Sequence, residues 1–361
     1  MITIKNLIRT VILTLFLHTP LAHAWQAEQV ATGLGIPWGI AYWDPTSLLI
    51  TTRSGEIIHL DVRSGEHTTL FKVPDVWHQG QGGLLDIAVS PFAANTLYFT
   101  YSKHVDGKGV TTLAKAHYKD NQLSQWQDVF VTRSASDSGR HFGSRIAFDQ
   151  HNIYVSVGDR GVRENGQNTQ NHAGTIIRVT PNGKVPKDNP YLEDATVLDE
   201  IWSYGHRNPQ GLYFDAIKSQ LWAIEHGPRG GDEINLIKPG GNYGWPVTSH
   251  GKEYWGPLAV GEAEHKAGII SPVKVYVPSI APSGLVMYQG DKFASLKGKL
   301  LTGALKLQHI NVISLDGNNQ ASEEVRLFEN LNERVRDIEV TPLGEIFFST
   351  DSGNIYRLAK Q

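Results

Sequence analysis

Three polar, glycine-rich segments that lie close together in the chain contain the residue types most able to do chemistry. They are residues 204–212 (Tyr-Gly-His-Arg-Asn-Pro-Gln-Gly-Leu), 225–233 (Glu-His-Gly-Pro-Arg-Gly-Gly-Asp-Glu) and 240–246 (Gly-Gly-Asn-Tyr-Gly-Trp-Pro). Each lies beside a short apolar run such as 221–224, so each is predicted to be a loop at the end of a strand. Because catalytic and binding residues concentrate in loops on a rigid scaffold, we expect the functional site here.

Comparable polar residues recur at five other points along the chain, each beside a predicted strand. They are Gln81, His141, Asp159, Lys306 and the pair Arg334 and Arg336. With Arg207 and Asn208, they would present guanidinium, ammonium and amide groups on one face. Guanidinium groups pair with carboxylates through two hydrogen bonds and stack on flat π-systems. The set therefore indicates a planar, carboxylate-rich ligand.

His141 is the residue of this set best suited to acid–base chemistry. Neighbouring cations disfavour the imidazolium form, which would keep His141 neutral and able to act as a base. If Asp159 reached the other ring nitrogen, it would fix the tautomer and stabilise the proton once it is taken. We therefore predict His141 as a base that Asp159 supports.

The apolar runs repeat as one β-rich unit of two short strands, often followed by a third that begins with glycine. Copies begin at residues 39–42, 87–89, 146–148, 211–214, 284–287 and 338–340. Six copies at irregular spacings that average roughly 60 residues are typical of the blades of a β-propeller. β-Branched and aromatic residues fill the runs, and no segment shows a sustained helical period. The sequence predicts an all-β, six-bladed β-propeller with four-stranded antiparallel blades, in which residues 28–31 supply the outer strand of the last blade.

The first residues of the chain are typical of an exported protein. Residues 1–24 combine Lys5 and Arg9 with an apolar run at 11–16 and with Ala22-His23-Ala24, which predicts a cleavable signal peptide. The rest, 25–361, is assigned to a single propeller domain. Because no second hydrophobic span follows, we expect no membrane span and a periplasmic or secreted location.

Composition excludes several classes of site and partner. The chain has no cysteine, so a disulfide scaffold, a thiol nucleophile and a thiolate metal site are excluded. The formal net charge of −3 and the lack of basic blocks give no reason to expect a nucleic acid partner. A small-molecule partner is favoured.

The polar motifs jointly resemble those of the soluble pyrroloquinoline quinone (PQQ) dependent glucose and aldose sugar dehydrogenases. The resemblance rests on residues 80–85, 205–212, 227–228 with 232–235, and 241–246, and it runs through essentially the whole mature chain. In outline the chain is more similar to the compact aldose sugar dehydrogenases. The resemblance implies a six-bladed propeller that holds PQQ and calcium in its channel mouth and oxidises the anomeric C1 hydroxyl of an aldose to a lactone.

The resemblance also implies roles for individual residues. His141 would take the hydroxyl proton while a hydride passes to the quinone, Arg207 would polarise the quinone carbonyl, and Asp159 would support His141. The electrons would pass to an external acceptor, and the protein would be a monomer or a homodimer. The residues implied to bind the cofactor are Gln81, Arg207, Asn208, Tyr254, Ala304, Lys306, Arg334 and Arg336.

Two calcium ions are implied by the same resemblance. One would contact PQQ and the main-chain carbonyl oxygens of Gly227 and Pro228, which suit a hard cation. The second, structural ion would use Glu233 and the carbonyl oxygen of Tyr243.

Two other functions stay open on the residues alone. A calcium-dependent sugar lactonase or related hydrolase would need a metal and a water nucleophile, and would leave Arg207, Lys306, Arg334 and Arg336 without a role. A non-catalytic sugar-binding propeller would not need His141 or the arginine pair, and the chain has both.

Overall fold

The computed structural model describes residues 25–360, and these residues form six sheets that make up the blades of a propeller. The predicted all-β, six-bladed fold is confirmed. From the axis outward, blade 1 consists of the strands Pro37–Asp44, Ser47–Thr52, Glu56–Asp61 and His67–Lys72. Blade 2 consists of Leu84–Val89, Thr96–Val105, Lys108–Lys119 and Gln122–Val131. Blade 3 consists of Ile146–Phe148, Ile153–Val157, Thr175–Val179 and Ile201–Tyr204, and Gly241–Asn242 adds a short parallel fifth strand.

Blades 4 to 6 follow the same plan. Blade 4 consists of the strands Pro209–Asp215, Gln220–Glu225, Asp232–Ile237 and Lys274–Tyr276. Blade 5 consists of Pro282–Met287, Leu300–Ala304, His309–Leu315 and Ala321–Leu327. Blade 6 consists of Val335–Val340, Ile346–Thr350, Ile355–Lys360 and Trp25–Ala31. Between residues 25 and 360 the only helices are three short 3-10 helices, Arg163–Gln167, Ala294–Leu296 and Glu329–Leu331.

The ring is closed by pairing the first strand of the described chain with the last. Trp25–Ala31 runs antiparallel to Ile355–Lys360, with Gln29 opposite Tyr356. Residues 28–31 therefore complete blade 6, as predicted. The first strands of neighbouring blades contact one another around the whole ring, which places them on the central axis.

Burial explains why the inner strands are almost continuously apolar. The second strands Ile153–Val157 and Ile346–Thr350 are buried at every position because each lies between two neighbouring blades. Strands that are covered on both faces lose the alternation of apolar and polar residues. Six apolar clusters fill the six interfaces between blades, so the core is a ring of separate layers.

The antiparallel hairpins bring the loops of interest to one face. In each blade, the loop before the first strand lies beside the loop after the second strand, as Pro209 opposite Glu225 illustrates. We call this end of the propeller the site face and the opposite end the rear face.

Two further expectations concern the chain's relation to the membrane. The predicted signal peptide, residues 1–24, lies outside the described residues. In the part of the chain that the structure describes, no helix is long and apolar enough to cross a bilayer.

Candidate functional site

His141 and Asp159 meet on the site face between blades 2 and 3. Nδ1 of His141 lies 2.6 Å from Oδ1 of Asp159, and Oδ2 of Asp159 accepts a hydrogen bond of 2.8 Å from the indole Nε1–H of Trp245. The amide of Gly161 donates a third bond to the carboxylate, at 2.7 Å. A carboxylate held by three donors and only 1% exposed has one fixed orientation, which it imposes on the imidazole.

Local backbone geometry presents His141 to the site. The residue has a φ of 52°, in the left-handed region that non-glycine residues rarely adopt. Gly158 allows this close packing, because a Cβ at that position would lie 2.3 Å from the carbonyl oxygen of His141. The main-chain amide of His141 also donates to Oε1 of Gln81 at 2.8 Å. The main chain of His141 is thus fixed at its amide by Gln81 and at its carbonyl oxygen by Gly158.

The environment of His141 favours its neutral form. Burial lowers its pKa; the hydrogen bond to Asp159 acts in the opposite direction, and the positive charge of Arg207 lowers the pKa again. Because Nδ1 must donate its proton to Asp159, the lone pair of the neutral ring lies on Nε2. Within residues 25–360, Nε2 has no hydrogen-bond partner. The imidazole is therefore oriented as a general base.

A cavity of about 200 Å³ at the mouth of the central channel adjoins this pair. Four of the predicted cofactor residues line it: Gln81, Asn208, Arg334 and Arg336. The structure adds Trp38, Arg53, Gln210, His226, Leu305 and Asp351 to the lining. A wall made of guanidinium, amide and imidazole groups with one indole ring fits a flat ligand that carries several carboxylates.

Arg334 and Arg336 are held in place by one shared carboxylate. Asp351 accepts bonds of 2.8 Å from Nε of each arginine and a further bond of 3.0 Å from Nη2 of Arg336. Two guanidinium groups against one carboxylate leave a net positive charge at the cavity wall. The pair is therefore both oriented and attractive to an anion.

Arg207 lies beside this cavity rather than in its wall. Its amide donates to Oε2 of Glu225 at 2.7 Å, and its Nη1 donates to the carbonyl oxygen of His226 at 3.1 Å. The guanidinium lies 5.3 Å from the ring centroid of Trp245, whose indole also bonds Asp159. Arg207 is thus tied to the residues that orient His141.

All four predicted metal-binding residues line a second, smaller cavity of about 10 Å³, which is room for one water-sized group. They are Gly227, Pro228, Glu233 and Tyr243, and Arg207 lines the same cavity. Burial and, after it, the negative charge of Glu225 together raise the pKa of Glu233 to about 8. A cation bound here would relieve the repulsion between the two carboxylates.

The side chains do not form a metal site by themselves. Among residues 25–360, no three acidic or imidazole side chains are placed to hold an ion. A calcium ion in the smaller cavity would therefore depend on main-chain oxygen atoms, which calcium accepts. Both calcium sites stay predictions.

Comparison with known proteins identifies the family. A family model described as Glucose / Sorbosone dehydrogenase matches residues 34–357. The chain belongs to this family. It is 37% identical over 344 residues to aldose sugar dehydrogenase YliI of Escherichia coli (strain K12), a match that covers 92% of each chain. The family is one of sugar oxidoreductases.

Two solved structures in the family show the same architecture. The soluble aldose sugar dehydrogenase from Escherichia coli in the apo-form has a TM-score of 0.89 and 35% identity, over 93% of this chain and 100% of that chain. The PQQ-bound form of aldose sugar dehydrogenase from Streptomyces coelicolor has a TM-score of 0.78 and 28% identity, over 95% of this chain and 100% of that chain.

Besides Arg207, three of the predicted cofactor residues do not line the main cavity of this sugar oxidoreductase. Tyr254 is 65% exposed. It lies on a loop that is fixed by the preceding residue, Glu253, whose carboxylate accepts two hydrogen bonds from the Arg163 guanidinium. Ala304 is fully buried in the second strand of blade 5, and Lys306 is exposed just beyond that strand, next to Leu305 in the cavity wall. Their part in cofactor binding stays a prediction.

Several residues of the site were not singled out from the sequence. Trp245 bonds Asp159, and Glu225 holds both the amide of Arg207 and Nδ1 of His206. His226 donates from Nε2 to the carbonyl oxygen of Pro282 at 2.6 Å, and burial lowers its pKa to about 3. The glycine-rich motifs contain all of these residues, but residue type alone did not indicate which partner each would meet.

Proposed function

We propose that the chain is a PQQ-dependent aldose sugar dehydrogenase that oxidises the anomeric C1 hydroxyl of an aldose to a lactone. The observation that carries the proposal is the contact of 2.6 Å between Nδ1 of His141 and Asp159, beside a donor-lined cavity. It leaves Nε2 as a proton acceptor at the point where a substrate would meet the cofactor. The names of the relatives, an aldose sugar dehydrogenase and a PQQ-bound structure, support it.

The cavity would hold the cofactor through its donors. PQQ, when bound, supplies the quinone that accepts a hydride from C1. Gln81 and Asn208 offer amide groups to its oxygen atoms, and Arg334 and Arg336 offer guanidinium groups to its carboxylates. Arg207, whose guanidinium donates to the carbonyl oxygen of His226, would place positive charge where negative charge develops.

The proton is handled by the chain's own residues. Nε2 of His141 would take the proton of the C1 hydroxyl as the hydride leaves C1, so no alkoxide accumulates. The negative charge of Asp159 stabilises the imidazolium that results, and the Trp245 indole keeps the carboxylate in position. The captured proton would later leave to solvent, since the His141 side chain is 13% exposed.

Calcium belongs to the same proposal. One ion would be held by the carbonyl oxygens of Gly227 and Pro228 near the cofactor, and a structural ion by Glu233 and the carbonyl oxygen of Tyr243. An external electron acceptor would complete the reaction. We propose a periplasmic or secreted location because residues 1–24 have the features of a signal peptide.

A dye-reduction assay with an aldose panel tests the proposal. Purified protein is measured without PQQ, with PQQ, and with PQQ and calcium, and His141→Gln is compared with His151→Gln. His151 is an exposed histidine on the rear face and serves as the matched control. We expect activity that requires both additions, is lost in His141→Gln and persists in His151→Gln. Failure of the wild-type protein to bind PQQ with calcium present would contradict the proposal.

A further inference from the structure

Arg145 lies on the central axis, directly beneath the main cavity. It immediately precedes the first strand of blade 3, and it is 4% exposed. Its Nη1 lies 2.9 Å from Oδ1 of Asp86 and 3.0 Å from Oδ1 of Asp337. One guanidinium thus bridges two buried carboxylates from blades 2 and 6.

The same guanidinium contacts three residues that line the cavity. Nε donates to the carbonyl oxygen of Gln210 at 2.7 Å, and Nη2 donates to that of Arg336 at 3.1 Å. The guanidinium carbon lies 4.1 Å from the ring centroid of Trp38, in cation–π contact. Gln210, Arg336 and Trp38 all line the main cavity. One side chain therefore holds cavity residues from blades 1, 4 and 6.

Arg145 also separates two spaces along the channel. Above it is the main cavity of about 200 Å³, and below it is a cavity of about 570 Å³ whose lining includes Arg145, Asp86 and Asp337. The lower cavity is also lined by residues at the rear ends of the first strands, such as Val89 and Val340. The layer formed by Arg145, Asp86 and Asp337 is therefore the floor of the upper cavity.

We propose that Arg145 is a positioning residue for cofactor binding, which fixes the Trp38 ring and the Arg336 backbone at the floor of the site and closes the site towards the rear face. The inference rests on the function proposed above. It assigns Arg145 no contact with the cofactor or the substrate; it acts through residues that line the cavity.

The charge of the group supports this role. Burying an arginine with two carboxylates carries a desolvation cost that well-packed apolar side chains would avoid. An apolar residue could also close the channel, but it could not donate to two carbonyl groups and stack on an indole ring. The planar guanidinium, with five donors in a fixed fork, suits this task. Because Asp351 fixes the Arg336 side chain and Arg145 fixes its backbone, that residue is held at both ends.

The alternative is that Arg145 contributes only to stability, and the chain offers a closely matched control. Arg178 is also in blade 3, is 6% exposed and pairs with two carboxylates, Asp149 at 3.5 Å and Asp188 at 3.1 Å. Its guanidinium lies 4.6 Å from the ring centroid of Trp202. Arg178 does not line the cofactor cavity, so it reproduces the burial, charge and stacking of Arg145 without the proposed function.

The test uses four variants. Arg145→Lys and Arg178→Lys keep the positive charge but lose the planar guanidinium, and Arg145→Met and Arg178→Met lose the charge as well. Melting temperature, PQQ affinity with calcium present, and kcat and KM at saturating PQQ are measured. PQQ affinity is followed by quenching of tryptophan fluorescence. We expect all four variants to melt at lower temperature. Only the Arg145 variants should lose PQQ affinity, about tenfold in Arg145→Lys, while their KM for sugar stays within twofold of wild type.

Equal PQQ affinities in Arg145→Lys and Arg178→Lys would overturn the inference. Hydrogen exchange of the apoproteins provides a readout that needs no cofactor. Amides of residues 334–336 should exchange faster in Arg145→Lys than in Arg178→Lys, and equal rates would contradict the positioning role even if the methionine variants do not fold. If the wild-type protein binds no PQQ, the proposed function fails, and the exchange rates still decide whether Arg145 orders the floor.

Discussion

Replacing Asp159 by asparagine removes the negative charge that orients His141 while keeping the size of the side chain. The carboxylate accepts bonds from Nδ1 of His141, the amide of Gly161 and Nε1 of Trp245. An asparagine can accept at one terminal atom only, so it turns an N–H group towards either His141 or Trp245. The variant therefore loses a charge-assisted bond and leaves one donor facing another.

The size of the effect follows from that bond. A hydrogen bond to a charged group contributes about 1.5–3 kcal/mol. If that stabilisation is lost when the imidazolium forms, kcat falls roughly 10- to 150-fold, at 1.36 kcal/mol per factor of ten. KM for the sugar should change little, because Asp159 is 1% exposed and has no access to substrate.

The pH profile gives a second, independent expectation. A base must be deprotonated, so activity is lost as the pH falls through the pKa of His141. The hydrogen bond to Asp159 raises that pKa against the effect of burial. Removing the carboxylate therefore lowers the pKa further and moves the acid limb of kcat to lower pH.

Steady-state dye reduction by the PQQ-loaded protein from pH 4 to pH 9 measures both effects. Asp149→Asn serves as the control, because its carboxylate accepts bonds from Tyr154 and Asn152 on the rear face. Unchanged kcat in Asp159→Asn, or an acid limb that moves to higher pH, would refute the reasoning.

Three further changes test other parts of the account. Trp245→Phe removes the indole donor from Asp159, and kcat should fall about three- to tenfold, less than in Asp159→Asn. Gly158→Ala would place a Cβ 2.3 Å from the His141 carbonyl oxygen, so activity should fall more than 100-fold. Burial raises the pKa of Glu339 to about 8, against about 4.3 in the unfolded chain, so its stabilising contribution is lost as the pH rises through this window. Glu339→Gln should therefore melt at higher temperature than wild type at pH 8 and at the same temperature at pH 4.

Each of these expectations has a result that contradicts it. Full activity in Trp245→Phe would mean that the indole does not orient the carboxylate. Gly256→Ala controls for glycine replacement, because a Cβ there meets nothing within 4 Å, and equal activity in both alanine variants would exclude a clash at Gly158. If the difference in melting temperature between Glu339→Gln and wild type is the same at pH 4 and pH 8, protonation of Glu339 does not affect stability.

The fold could be predicted from the sequence because each blade has its own local pattern. Apolar runs such as 153–156 and 346–349 are short, β-rich and bounded by turns, and they repeat six times, so the number of blades follows from counting. Closure by residues 28–31 was also predictable, since the copy that ends at residue 358 provides only three strands.

The contacts of the site were less accessible, because they join residues that are far apart in sequence. Residue type and position in a loop were enough to single out His141 and Asp159 as candidates. Nothing in the local sequence indicates that Trp245, 86 residues after Asp159, donates a hydrogen bond to the Asp159 carboxylate. Arg145 is similar: its partners Asp86 and Asp337 come from other blades, and only the closed ring brings the three together. Tyr254 was named through the family resemblance alone, and its side chain is 65% exposed. Its contact with a cofactor stays a prediction.

The central claim is that this chain uses His141 to oxidise an aldose with bound PQQ, and a single-turnover experiment tests it most directly. Wild-type protein and His141→Gln are loaded with PQQ and calcium without air or electron acceptor, then mixed with an aldose, and the absorbance of the bound quinone is followed. We predict that both proteins bind PQQ, that the wild-type quinone is reduced with one lactone formed per PQQ, and that reduction in His141→Gln is at least 1000-fold slower. Equal rates of reduction in the two proteins would contradict the account.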